Sequence, residues 1–171
     1  LPEQAGVWSY PVDSWVKGFA PTPEWVRAHV SDETVIMNMV NAMLGRVHLA
    51  SHLELISERQ RALVKEGIDC MKRLAAFKKR AVPSFPKGFA RFGDKSAASG
   101  LCADEKMVLA VWNTGGDGKA EIMLPDYVSA QCEILYPASP ATDFTFANGK
   151  LTVILPNRYS ARCFVLYFGK K

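Results

Sequence analysis

The chain has 171 residues, of which 49% are hydrophobic and 22% are charged, and its formal net charge is +4. This is the composition of an ordinary globular protein with one or two domains. No apolar run approaches the roughly 20 residues that cross a bilayer, so we expect no membrane partner. The basic residues form no stripe interleaved with aromatic residues, so we expect no nucleic-acid partner either.

The first residues and the cysteines bear on the compartment. The chain starts at Leu1 without a methionine and without the basic start of a signal peptide, so we expect the natural N-terminus to lie upstream. The four cysteines lie about thirty residues apart and form no close pair of the kind that metal and redox motifs need. This spacing indicates reduced thiols in a cytoplasmic protein. A secreted protein and a single disulfide are the alternatives.

The chain opens with a strand pattern. Ala5–Tyr10 predicts a short buried strand that ends at Pro11. A long loop follows to residue 31, and Pro23 opens a short helix at Trp25–His29 within it. A strand followed by a loop and a helix is one unit of a β/α architecture.

Two longer helices are predicted next. Ser31 or Asp32 caps a helix over Glu33–Leu53, whose apolar residues wrap most of the circumference and therefore need burial on several sides. Ser57 and Gln60 form a capping box for a second helix that runs to about residue 80. The apolar residues of the second helix recur at three and four positions, so it covers a core with one face.

After the Pro- and Gly-rich segment Val82–Gly88 the pattern becomes strand-like. Asn148-Gly149 is a strong signal for a two-residue hairpin. Short β-rich segments at this spacing predict an antiparallel sandwich; they are Lys106–Trp112, Ala120–Leu124, Gln131–Tyr136, Phe144–Ala147, Lys150–Leu155 and Arg162–Phe168.

The fold class predicted from these patterns is α/β followed by all-β. Residues 1–82 would form the last β/α unit of a (β/α)₈ barrel, comprising a strand, a long loop and two helices. Residues 83–171 would form a C-terminal antiparallel β-sandwich domain that could fold independently.

Polar residues recur at three and four positions along the predicted helix Glu33–Leu53; they are Asn38, Asn41, Gly45, His48 and His52. Residues so spaced share one seam of a helix, where two histidines four apart could bind a metal. No third ligand lies near them in the sequence, so we expect no metal and assign the seam to hydrogen bonding. Gly45 would then permit close approach of a neighbouring element.

The tryptophans invite a carbohydrate-stacking hypothesis. Trp112 stands within a strand among apolar residues, which favours core packing. Trp15 and Trp25 fall in the long loop, where contact with a substrate or a subunit stays open.

Three motifs carry a resemblance to a known family: GVWSYP at 6–11, NMVNAMLGRVHLASHL at 38–53 and LVKEGI at 63–68. In this order and spacing they resemble the C-terminal region of glycoside hydrolase family 36, as do LAVWNTGG and ILYP in the second half. The family comprises α-galactosidases with related α-N-acetylgalactosaminidases and raffinose-handling enzymes.

The resemblance implies a barrel enzyme that removes terminal α-galactosyl residues with retention, using one aspartate as nucleophile and another as general acid/base. In the family the nucleophile follows a lysine and an aromatic residue, and no Lys-aromatic-Asp occurs in this chain. We therefore assign no catalytic residue, cofactor or metal to it, and expect it to be silent alone. Its partners would be the rest of the catalytic domain, the substrate and, in an open alternative, copies of itself.

Trp8 and Tyr10 are the candidate substrate-binding residues. They share one face at the carboxyl end of the first strand, which in a barrel borders the active site. The alternative for Trp8 is packing between the strand and a helix. The alternative function for the chain is a noncatalytic β-sandwich module that binds carbohydrate or contacts a subunit.

Overall fold

The computed structural model describes residues 6–12 and 20–168. The helices are α1 (Pro23–His29), α2 (Asp32–Met43), α3 (Glu58–Arg73) and α4 (Ala75–Lys78). The strands are β1 (Gly6–Ser9), β2 (Arg46–Leu49), β3 (Val82–Ser84), β4 (Ser96–Ala103), β5 (Lys106–Asn113), β6 (Lys119–Met123), β7 (Gln131–Tyr136), β8 (Phe144–Ala147), β9 (Lys150–Ile154) and β10 (Ser160–Tyr167). Among the described helices, none is both long enough and apolar enough to cross a bilayer.

The first part of the chain contains two parallel strands rather than one. β1 pairs with β2 in parallel, with Trp8 opposite His48 in the register. The connection between them contains α1 and α2, and α3 follows β2. Parallel neighbours need such a crossover connection, and this one places α2 against β1 and β2.

The prediction of one helix over Glu33–Leu53 is wrong in its second half. α2 ends at Met43, and Arg46–Leu49 forms β2 instead. Val47 and Leu49 pack on the core, whereas Arg46 and His48 alternate with them, which is the two-residue period of a strand. Apolar residues continue from α2 into β2, and this continuity concealed the change of period. Pairing with β1 satisfies the strand's backbone groups on that side and decides its conformation.

The predicted helix starts are confirmed. The Ser31 hydroxyl accepts a hydrogen bond from the Thr34 N–H, and Ser57 and Gln60 cap α3 reciprocally. The second helix is interrupted at Leu74, so α3 and the short α4 replace one helix to residue 80. Within α3, a Cβ at Gly67 would come within 2.9 Å of Met39 Cε, so glycine there permits the close approach of α2.

The second part forms two antiparallel sheets. One has the strand order β3-β4-β5-β10-β7 and the other β6-β9-β8. The Asn148-Gly149 hairpin is confirmed, and both residues have the positive φ (51° and 70°) of a type I′ turn. β4 was not predicted because Ser-Ala-Ala-Ser-Gly has low β-propensity, yet all eight of its residues pair with β5.

The five-stranded sheet is the middle of three layers. Along β5, Met107, Leu109 and Val111 pack against the three-stranded sheet, whereas Val108 and Ala110 pack against the helices. A strand buried on both faces reads as a continuous apolar run, which is what β5 shows. One core therefore extends from the helices into the sheet, across the boundary predicted at residue 82; the division into two domains stays a prediction.

Polar contacts reinforce this junction. The Arg162 guanidinium of β10, 1% exposed, donates two hydrogen bonds to the Glu33 carboxylate at the start of α2, at 2.7 and 2.8 Å. The Tyr136 hydroxyl donates to the Leu63 carbonyl of α3 at 3.1 Å. Because both partners of the ion pair are largely buried, each one depends on the other for its solvation.

We expect Glu33→Gln to lower the free energy of unfolding by about 3 to 5 kcal/mol, because it leaves the Arg162 charge buried without its partner. Urea denaturation measures the change. Asp104→Asn is the matched control, because it removes the acidic partner of Arg80 in a pair that is 63% and 60% exposed. The control should cost less than about 1 kcal/mol. Equal costs for the two variants would contradict a structural role for the buried pair.

Candidate functional site

The carboxyl ends of β1 and β2 meet at one edge of the molecule. The Ala50 N–H donates to the Ser9 carbonyl at 3.1 Å, directly after the strands end. The Ser51 hydroxyl accepts from the Val12 N–H at 2.7 Å and donates to the Val12 carbonyl at 3.1 Å. The segments that leave the two strands are therefore tied together. Ligands of parallel β/α folds bind at this end of the strands.

Three rings form a shelf at this edge, which we call the aromatic shelf: Tyr10, Trp8 and His48. The Trp8 and Tyr10 ring centroids lie 5.9 Å apart with the planes 3° from parallel. On its other side Trp8 stacks on His48 at 5.4 Å and 29°. The shelf thus crosses from β1 to β2, because the register sets Trp8 beside His48. Flat apolar faces of this kind can stack on the C–H face of a sugar ring.

Trp8 does not pack between its strand and α2. It is 59% exposed, whereas the neighbouring Ser9 is fully buried and its hydroxyl donates to the Asn38 carbonyl of α2 at 3.2 Å. Side chains alternate along a strand, so Trp8 lies on the face opposite the helix. Gly6, on the same face, leaves room for the imidazole: a Cβ there would come within 3.1 Å of His48 Nε2.

A second titratable pair follows β2. His52 Nδ1 lies 2.9 Å from Glu54 Oε1, with the side chains 44% and 67% exposed. A hydrogen bond from its own backbone N–H, followed by the bond to His52, lowers the pKa of the Glu54 carboxyl. The carboxylate is thus held ionised beside the imidazole in the loop that borders the shelf.

The predicted polar seam does not exist as one helical row. Asn38 and Asn41 lie on α2, Gly45 lies in the turn after it, and His48 lies on β2. The Gly45 carbonyl accepts a hydrogen bond from the buried Lys78 amine at 2.7 Å. Within residues 6–12 and 20–168, no three His, Cys, Asp or Glu side chains are grouped so that they could hold a metal.

The other tryptophans have separate positions. Trp112 is half-buried at the junction of sheet and helices, where its indole N–H donates to Asn41 Oδ1 at 2.8 Å. Trp25 stacks on His29 of its own helix at 4.5 Å. Trp15 lies outside the described residues.

Three of the four cysteines carry thiols that burial makes harder to deprotonate. All four are free, and burial raises the pKa of Cys132 to about 12. Burial also raises the pKa of Cys70 and Cys163. A thiolate is the nucleophilic form, so these residues act as small apolar side chains.

His48 shows where the sequence could have led further. Its aromatic ring stacks on Trp8 and is therefore part of the shelf. The sequence pattern had placed His48 in a helix. The signal was the alternation Arg46-Val47-His48-Leu49 directly after Gly45, which fits a strand.

Comparison with known proteins identifies the fold. No family model matches the chain, and no curated protein matches it either. Among solved structures, the galactosidase domain of the α-galactosidase–sucrose kinase AgaSK is similar with a TM-score of 0.65 and 15% identity. That likeness covers 95% of this chain and 22% of the AgaSK chain.

An Anoxybacillus α-amylase is similar with a TM-score of 0.59 and 11% identity, over 86% of this chain and 35% of the amylase chain. This chain therefore spans only about a fifth to a third of the length of these two structures. At such identities the likeness concerns the fold alone. The mixed α/β arrangement with mostly antiparallel sheets is one that occurs in glycoside hydrolases.

We expect the Glu54 carboxyl to titrate below the ordinary glutamate pKa of about 4.3. Because the folded pKa is the lower one, the stability it contributes is present above the unfolded pKa and is lost as the pH falls through the folded value. His52→Ala should raise this pKa without restoring it fully, since the backbone hydrogen bond remains. Carboxyl ¹³C NMR measures it. His29→Ala, which removes another exposed histidine, should leave it unchanged; an unshifted Glu54 in His52→Ala would disprove the pairing.

Proposed function

We propose that this chain is the C-terminal part of a retaining glycoside hydrolase that removes terminal α-galactosyl residues. The catalytic aspartates belong to the rest of the catalytic domain. This chain supplies two β/α units of the barrel and a β-domain that packs against those units. The observation that carries the proposal is the coincidence of two independent likenesses. The fold is similar to a galactosidase domain over 95% of the chain, and three sequence motifs resemble an α-galactosidase family.

The alternation along the two parallel strands supports this role. In a (β/α)₈ barrel one face of each strand contacts the helices and the other faces the barrel interior. In β1, Val7 and Ser9 lie on the side of α2, and Trp8 lies on the opposite face. Joined to the remaining barrel strands, β1 and β2 would direct Trp8 and His48 inward.

The aromatic shelf then forms a wall of the substrate pocket. Its place at the carboxyl ends of β1 and β2 is where barrel enzymes bind substrate. Retaining hydrolysis requires two carboxyl groups about 5 Å apart across the glycosidic bond. Trp8 and Tyr10 would pack against the sugar ring and hold its anomeric carbon between those carboxyl groups. Orientation of this kind lowers the activation free energy without any covalent role for the shelf.

The noncatalytic carbohydrate-binding module ranks second. Modules of that kind present aromatic side chains on an open sheet face. Here the five-stranded sheet is covered on both faces, and Phe144 and Phe146 of the three-stranded sheet pack into the core between the sheets. On the outer side of β6 and β9, the Glu121 carboxylate forms ion pairs with both Lys119 and Lys150.

We expect Trp8→Ala in the whole parent enzyme to raise KM for an α-galactoside about tenfold, or ~1.4 kcal/mol, because the pocket loses its stacking face. The melting temperature should change little, since Trp8 is 59% exposed. Steady-state kinetics and thermal denaturation measure the two effects. Phe89→Ala, which removes an exposed aromatic ring from the segment before β4, is the control and should leave KM unchanged. Unaltered kinetics with a lowered melting temperature would assign Trp8 a structural role only.

The activity itself is tested with the parent enzyme and aryl glycosides. It should hydrolyse p-nitrophenyl α-galactoside in preference to the α-glucoside, and ¹H NMR should detect α-galactose as the first product because the reaction retains configuration. The 171-residue chain alone should not turn over either substrate. Reproducible hydrolysis by the isolated chain, or β-galactose as the first product, would overturn the proposal.

A further inference from the structure

Three loops at one end of the β-domain enclose a cavity of about 450 Å³, which we call the loop cavity. Its walls come from residues 90–95 before β4, from Thr114 and Gly115 after β5, and from Arg158 and Tyr159 before β10. Cavities of this size hold small molecules or a few sugar units. None of these residues belongs to the aromatic shelf.

Arg158 is one of three cationic residues that line the cavity. Its guanidinium lies 4.7 Å from the centre of the Tyr159 ring, in a cation–π contact. Gly115 lies beside it: a Cβ there would stand 3.6 Å from Arg158 Nε, an ordinary van der Waals contact. Within residues 6–12 and 20–168 the guanidinium has no hydrogen-bond or ion-pair partner, so its donors stay available to a ligand. A planar fork of N–H groups suits carboxylate and phosphate oxygens.

Tyr159 is held in a strained backbone conformation. Its φ is +61°, which costs a bulky residue energy and is found mostly where the surrounding structure enforces it. The Tyr159 N–H donates to the Asn113 carbonyl at 2.8 Å. The buried Asn113 amide also joins the loops, donating to the Asn157 carbonyl and accepting from the Gly115 and Gly116 N–H groups. The wall that carries Arg158 and Tyr159 is therefore built before any ligand binds.

The segment before β4 adds charged side chains and a further aromatic ring to the lining of the cavity. Arg91 and Lys95 are exposed, and their side-chain nitrogens also have no partner among the described residues. The acidic residue in this segment is Asp94, whose carboxylate accepts a hydrogen bond from the backbone N–H of Arg91 at 2.7 Å. Phe92 is fully exposed beside them. Three cations against one carboxylate favour an anion, and exposed rings at the rim favour a ligand that has a flat or C–H-rich face.

We propose that the loop cavity binds an anionic sugar, meaning a sugar ring that carries a carboxylate or a phosphate. Arg158 pairs with the anionic group, with Arg91 and Lys95 adding attraction, and Tyr159 and Phe92 contact the ring. The site is distinct from the aromatic shelf and needs none of its residues, so it stands whether or not the parent hydrolyses α-galactosides.

Isothermal titration calorimetry on the 171-residue chain tests this with trigalacturonate, galactose 6-phosphate and the fully methyl-esterified trigalacturonate. One or both anionic sugars should bind, and the tighter one identifies the anionic group. The ester keeps the rings and loses the charge, so its binding should be at least tenfold weaker than that of trigalacturonate. Affinity should also fall as salt is raised. Failure of both anionic sugars to bind, or equal binding of the ester and the acid, would overturn the proposal.

Variants locate the site. Arg158→Ala should weaken binding at least tenfold with an unchanged melting temperature, because Arg158 is exposed. Two control variants should bind as tightly as the unmodified chain. Lys65→Ala removes an exposed charge on α3, and Trp8→Ala alters the shelf. A loss in Lys65→Ala equal to that in Arg158→Ala would assign the binding to overall charge and overturn the site. A loss in Trp8→Ala alone would assign it to the shelf.

Discussion

The burial of α2 is the constraint on which the rest of the structure depends. Its residues Val35, Ile36, Met39, Val40 and Met43 are all fully buried, so the helix needs apolar neighbours around most of its circumference. The five-stranded sheet, α3 and the β1–β2 pair supply them. The Arg162–Glu33 ion pair stands at the edge of this junction and fixes which part of β10 meets the start of α2. An apolar junction alone tolerates sliding, whereas a buried bidentate pair has one geometry.

The same constraint prepares the candidate site. Because the Ser9 side chain is hydrogen-bonded to α2, Trp8 lies on the opposite face of β1. His48 of β2 stacks on Trp8 there. The five-stranded sheet covers the side of α2 that β1 and β2 leave free. The loops of the β-domain carry a second arrangement of cations and rings around Arg158. The two places differ in chemistry: one is an aromatic shelf with a neighbouring His–Glu pair, and the other is cationic.

Local patterns predicted much of the fold. The caps at Ser31 and Ser57, the Asn148-Gly149 hairpin and the apolar strand β5 follow from short-range stereochemistry and hydrophobic period, and all are found. The failures have a common cause. β2 and β4 are strands because of their neighbours: β2 pairs with β1, and β4 forms a ladder with β5 despite its small residues. Propensity carries no information about such pairing.

The candidate site likewise has features that follow from local sequence and features that depend on tertiary contacts. The sequence by itself indicated that Trp8 and Tyr10 point to the same side, because side chains alternate along an extended backbone. The sequence also determined that α2 must be buried on several sides, because apolar residues occupy most of the circumference of that helix. Only the tertiary structure decided that His48 joins Trp8, that Trp8 faces away from α2, and that Arg158 and Arg91 line the same cavity. These contacts join residues that are distant in the chain, and strand register and loop packing bring them together only when the whole fold forms.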